Sequence, residues 1–122
     1  MMLEIAAVLI FALGAAHSYL GERYLLMRLF RRDSLPTLFG GTDFTRQTLR
    51  FAWHLTTVAW WGLAFLLLQA AQGGLTIAGV VRVIGWTAIV SGLFPLAFTR
   101  GRHLSWIVMF AIGGLALMWA GP

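Results

Sequence analysis

The stretch GAAHSYLGERYLLMRLFRR, residues 14–32, carries an apolar segment into a strongly basic one. Before it, from Met1 onward, only Glu4 is charged. Within it, His17 and Glu22 precede four arginines. A long apolar segment that ends in arginines is typical of a transmembrane helix, whose basic end lies among lipid headgroups. The stretch therefore predicts a membrane-spanning helix with two polar side chains near its basic end.

The composition of the whole chain agrees with this interpretation. Its 122 residues are 60% hydrophobic and only 11% charged, whereas soluble domains carry about 25% charged residues. So few charges cannot cover a water-exposed surface, which predicts that lipid surrounds most of the chain. There is no cysteine, which excludes disulfides, thiol nucleophiles and cysteine-ligated metal or iron–sulfur centres.

Four apolar runs divide the chain, at roughly residues 3–24, 49–70, 79–99 and 104–120. A helix needs about 20 mostly apolar residues to cross a bilayer. None of the runs alternates apolar and polar residues, and backbone groups in lipid must bond within helices. The sequence predicts an all-α polytopic membrane protein, a single domain over residues 1–122 with four transmembrane helices in an antiparallel bundle.

The arginines predict how this bundle is oriented. Eight of the nine lie beside the first and third connections, and only Arg82 lies near the second. Because positive residues are retained on the cytoplasmic side, both basic connections are expected in the cytoplasm and both termini outside. The N-terminal run lacks the basic region of a signal peptide and is interpreted as a retained span. We expect a multi-pass protein of a bacterial-type plasma (inner) membrane.

The first connection, residues 28–48, mixes basic and apolar residues. It predicts an amphipathic cytoplasmic loop in the membrane interface. The lipid bilayer, and the anionic headgroups on its cytoplasmic side, are the expected partners of a chain with a net charge of +5. The predicted headgroup ligands are Arg28, Arg31, Arg32, Arg46 and Arg50. No zinc-finger, helix-turn-helix or RNA-binding motif occurs, so nucleic acid is not an expected partner.

His17 is predicted to face a neighbouring helix. Gly14, Ser18 and Gly21 lie around it, and small residues let helices approach closely. An unpaired polar group away from water costs about 2–7 kcal/mol, so His17 needs a partner. A hydrogen-bonded core histidine is the simpler interpretation, and a ligand or proton carrier is the alternative. The candidate partners are His54, Thr57 and Tyr24.

All three histidines are expected near the cytoplasmic rim, on three different helices, which permits a haem or metal site. In a haem b site, His17 and His54 would be the axial ligands, and His103 and Arg102 would lie at the rim. This arrangement resembles, in architecture only, the membrane anchors of succinate dehydrogenase-type complexes. In a metal site, His17 and His54 would be joined by Glu22. Otherwise Glu22 is expected to pair with a nearby arginine or to orient a histidine.

Several classes of function lack their sequence signals. There is no glycine-rich phosphate loop, no pair of carboxylates and no carboxylate deep within a predicted span, which disfavours a proton-coupled carrier. The leading hypothesis is a small integral inner-membrane accessory or interaction protein without a catalytic site, which binds itself or another membrane protein. The alternatives are a haem- or metal-binding redox or ligand module, and a small channel or transporter.

Overall fold

Four helices and no strand make up the chain in the computed structural model, which describes residues 1–122. They are α1 (Met2–Leu29), α2 (Asp43–Ala71), α3 (Ile77–Phe98) and α4 (Ser105–Ala120). The predicted all-α class is confirmed. The first three helices are long and apolar enough to cross a membrane. The 16 residues of α4 rise about 24 Å, less than the hydrocarbon core of about 30 Å.

The first connection is shorter than the predicted loop 28–48. α1 continues to Leu29 and α2 begins at Asp43, so Arg28, Arg46 and Arg50 lie on helices. Leucine, methionine and arginine all favour helix, which lets the helix outlast its apolar run. Phe39 and Gly40 have positive φ angles of 54° and 84°, and they turn the chain just before α2 begins.

Each helix packs against the next one along the chain. The α3–α4 contact pairs Gly85 with Leu117, Ile89 with Gly113 and Gly92 with Phe110, so these two helices run in opposite directions. The backbone of α1 does not approach α3 or α4, and that of α2 does not approach α4. The helices therefore form an open row, and the predicted four-helix bundle is not confirmed.

Small residues line the helix contacts. A Cβ atom on Gly14 or Gly21 of α1 would overlap the indole rings of Trp61 or Trp53 on α2. A Cβ on Gly62 of α2 would meet the Thr87 side chain of α3. Glycine permits close approach at these points because it lacks the atom that would collide.

The surface of the row is large and apolar. The accessible area is 7893 Å², whereas a compact soluble protein of 13.5 kDa exposes about 6,500 Å². Only 16 of 122 residues are buried, and long apolar side chains such as Ile77 and Met118 are about four-fifths exposed. Such a surface is suited to lipid or to other apolar helices rather than to water.

Candidate functional site at the contact of α1 and α2

The polar residues of α1 and α2 meet where α1 contains a π-helical turn, Gly21–Leu26. Such turns within α-helices are frequent at functional sites. Ser18 and Glu22, one helical turn apart, both reach His54 of α2. His17 lies five residues before Glu22, about 140° away around an α-helix, and it contacts a different part of α2.

His17 is held by Trp53. Its Nε2 lies 3.3 Å from the Trp53 carbonyl oxygen, and the Trp53 indole Nε1 donates to the His17 carbonyl oxygen at 3.1 Å. The two rings stack with centroids 4.4 Å apart and an angle of 4°, and Trp60 contacts the His17 ring edge-on at 5.0 Å. His17 therefore faces a neighbouring helix as predicted, but its hydrogen-bond partner is a backbone carbonyl that residue identity does not reveal.

His54 joins a chain of hydroxyl groups to a carboxylate. Its Nδ1 lies 2.9 Å from the Ser18 hydroxyl, and its Nε2 lies 3.3 Å from a Glu22 oxygen. The Ser18 hydroxyl lies 2.7 Å from that of Thr57, which donates to the Gly14 carbonyl oxygen at 3.0 Å. We call Glu22, His54, Ser18 and Thr57, with Gly14 as the terminal acceptor, the α1–α2 network.

Arg50 clamps the carboxylate end of this network. Its Nη2 lies 2.8 Å from one Glu22 oxygen, and its Nε donates to the other at 3.2 Å, which is the two-point geometry that arginine favours with carboxylates. The Arg50 guanidinium also lies over the Phe30 ring at 5.1 Å. Both charged side chains are about 30% exposed. Arg50, predicted as a headgroup ligand, is thus engaged within the protein by Glu22.

His103 and Arg102 lie apart from the network. The His103 ring packs against Phe44 and Phe51, and its Nδ1 lies 2.8 Å from the Ser105 hydroxyl. Arg102 borders a polar cleft of about 310 Å³ between the start of α2 and the α3–α4 turn. The predicted haem residues are therefore divided between two places.

The predicted metal residues are only partly brought together. His54 and Glu22 are neighbours, but His17 directs its Nε2 to the Trp53 carbonyl. Nowhere do three or more His, Asp or Glu side chains converge as metal ligands would. The geometry adds no support to a metal site beyond the pair of His54 and Glu22.

The remaining arginines of the predicted headgroup set differ in exposure. Arg31 and Arg32 are exposed, and Arg28 is exposed with its guanidinium 5.8 Å from the Tyr24 ring. Arg46 is half-buried, and its buried Nε has no partner. These three exposed arginines can reach a membrane surface, although Arg28 would leave the Tyr24 ring to do so.

Ser18, His54 and Glu22 include the residue types of a hydrolytic triad, which the sequence does not reveal because they lie on two helices. The Ser18 hydroxyl is shared with Thr57. Ser18 also lies in the middle of α1. Backbone N–H groups there donate to carbonyl oxygens of the same helix, so they cannot form an oxyanion hole. The arrangement can hold a proton and fix two helices together, but it lacks the parts needed for nucleophilic catalysis.

Comparisons of the chain with protein-family models, with curated proteins and with solved structures give no match.

Proposed function

We propose that the protein is a small accessory or interaction protein of a bacterial-type plasma (inner) membrane, which it crosses four times. The observation that carries this proposal is the closed character of the α1–α2 network. Its polar groups form hydrogen bonds with one another, and at its inner end Thr57 donates to the Gly14 carbonyl oxygen. A backbone carbonyl cannot pass a proton onward, so the network fastens helices rather than forming a path through the membrane.

The arginines support an orientation with residues 30–42 and the α3–α4 turn in the cytoplasm and residues 1 and 122 outside. α4 is short for a span, but the turn before it carries Arg100 and Arg102, whose side chains can extend to the headgroups. On the cytoplasmic side, Arg28, Arg31 and Arg32 are exposed and available to anionic lipid.

The open row supports an interaction role. α1 and α4 each pack against a single helix, so their outer faces have no protein neighbour within the chain. Val8 and Leu9 on α1 are more than 60% exposed, as are Leu115 and Met118 on α4. These faces suit another copy of the chain or another membrane protein, with the glycine-lined contacts keeping the row itself intact.

Site-specific photocrosslinking in intact membranes tests this role. Crosslinkers placed at Leu115 and Met118 are expected to trap the same protein, and that complex should re-form from purified components in lipid. A crosslinker at Ala116, which packs against Gly85, is the matched control and should give no intermolecular product. Adducts with lipid alone at every exposed position of α1 and α4 would contradict the proposal.

Two further measurements separate the alternatives. Haem ligation through the Nε2 atoms would require His17 to leave the Trp53 carbonyl and His54 to leave Glu22. The purified protein is therefore expected to show no Soret band and no stoichiometric metal. A channel or transporter would increase solute flux in proteoliposomes, whereas we expect flux equal to that of empty vesicles.

A further inference from the structure

The hydrogen bonds of the α1–α2 network require a definite number of protons. It has four links: Glu22 to His54, His54 to Ser18, Ser18 to Thr57, and Thr57 to the Gly14 carbonyl. Each link needs one hydrogen between its two atoms, because two lone pairs that face each other repel. The network therefore requires four protons.

The donor and the acceptor in each link follow from the Gly14 end of the network, where the acceptor is fixed. A carbonyl oxygen only accepts, so Thr57 spends its single hydroxyl proton on Gly14. Ser18 must then supply the proton of the Ser18–Thr57 link. With the Ser18 proton used, the link between Ser18 and His54 needs a proton on Nδ1 of His54.

The Glu22 end of the network determines whether the second ring nitrogen of His54, Nε2, carries a proton. Glu22 is held by both Arg50 contacts, which keeps it a carboxylate that only accepts. The link from Glu22 to His54 therefore needs a proton on Nε2 of His54 as well. A neutral imidazole carries one ring proton and leaves one of the four links without a hydrogen, whereas an imidazolium completes all four.

We propose that His54 is a proton-binding site, which holds a second ring proton and thereby fastens α1 to α2. The ionisable groups that face it are Glu22 on α1 and Arg50 on its own helix. The α3 neighbour is the Phe98 ring, 6.4 Å away, which carries no charge. When the proton leaves, one of the four links is left without a hydrogen, and the contact of α1 and α2 weakens.

Nitrogen-15 NMR of histidine-labelled protein in lipid nanodiscs tests this site directly. Histidine signals are assigned from the single variants His17→Gln, His54→Gln and His103→Gln. At neutral pH, both ring nitrogens of His54 are expected to be protonated, which gives two similar shifts. A single neutral tautomer of His54, with two widely separated shifts, would overturn the proposal.

Two variants near His54 sharpen the test, because they predict opposite tautomers. In Glu22→Gln, the amide can donate to Nε2, so a neutral ring with its proton on Nδ1 completes the network. In Thr57→Val, Ser18 is freed to donate to Nδ1, so the neutral form that gains population should carry its proton on Nε2. Thr57 is linked to His54 only through the Ser18 hydroxyl in this network, so an unchanged His54 spectrum in Thr57→Val would contradict the proton count.

Ser105→Ala is the control, since it removes the hydroxyl beside His103 and leaves the network untouched. The His54 spectrum should then match that of the unmodified chain. Nanodisc samples that keep the helical circular dichroism spectrum of the unmodified chain exclude unfolding as the cause of any change.

Discussion

At the scale of single residues, Glu22 connects charges that the sequence keeps far apart. It lies next to Arg23 in the chain, yet it pairs with Arg50, 28 residues away, and also contacts His54. The partners come from α2 because Gly14 and Gly21 of α1 let α2 pack closely beside it. The carboxylate thereby fixes two basic side chains at once.

Replacement of Glu22 by Gln is expected to lower stability. The variant keeps the shape of the side chain but removes the charge, so Arg50 and His54 lose a charge-assisted partner. We expect a loss of about 1–2 kcal/mol, since the pair is partly solvated. The matched control is Glu4→Gln, where the exposed carboxylate pairs with the terminal amine and the change should stay within about 0.5 kcal/mol.

Reversible unfolding in mixed detergent micelles measures both variants. Equal losses for Glu22→Gln and Glu4→Gln would mean that the clamp on Arg50 and His54 adds nothing to stability.

At the scale of helices, the apolar runs predict where each helix lies in the chain but not where it ends. The predicted first and second runs stop at residue 24 and begin at residue 49, whereas the helices stop at Leu29 and begin at Asp43. Hydrophobicity marks the part of a helix suited to hydrocarbon, and the turns beyond it, residues 25–29 and 43–48, carry one arginine each. The candidate site shows a similar division, because spacing indicates that His17 faces a helix but cannot reveal that its partner is the Trp53 carbonyl.

The adjacent glycines of α4 provide a matched test of the α3–α4 contact. A Cβ on Gly113 would lie 2.6 Å from Ile89 atoms and 2.8 Å from the Gly85 carbonyl oxygen, whereas a Cβ on Gly114 would meet nothing within 4 Å. Gly113→Ala should destabilise the protein by about 1–3 kcal/mol through overpacking. Gly114→Ala should be neutral or stabilising by up to about 1 kcal/mol, because alanine favours helix.

The same unfolding assay compares the two variants. If Gly113→Ala were as stable as Gly114→Ala, the close approach of α3 and α4 at Gly113 would be wrong.

At the scale of the whole molecule, the chain forms an open row in which only consecutive helices pack. Composition predicts the lipid environment, because a chain with 60% hydrophobic residues has too few polar side chains to cover its surface in water. Composition does not predict whether the row closes into a bundle. An apolar helix face gains little free energy when it exchanges lipid for another apolar helix. Glycines lie at all three contacts between consecutive helices, and no contact brings α1 to α4.

The number of times that the chain crosses the membrane determines which of its loops share a side. The chain has no cysteine, so single cysteines at Ser34, Gly74, Leu104 and Pro122 report sidedness without background. A membrane-impermeant maleimide added to intact cells should label the variants at Gly74 and Pro122 and spare those at Ser34 and Leu104 until the membrane is opened. Labelling of Leu104 and Pro122 from the same side would show that α4 does not cross, and would contradict the four-span account.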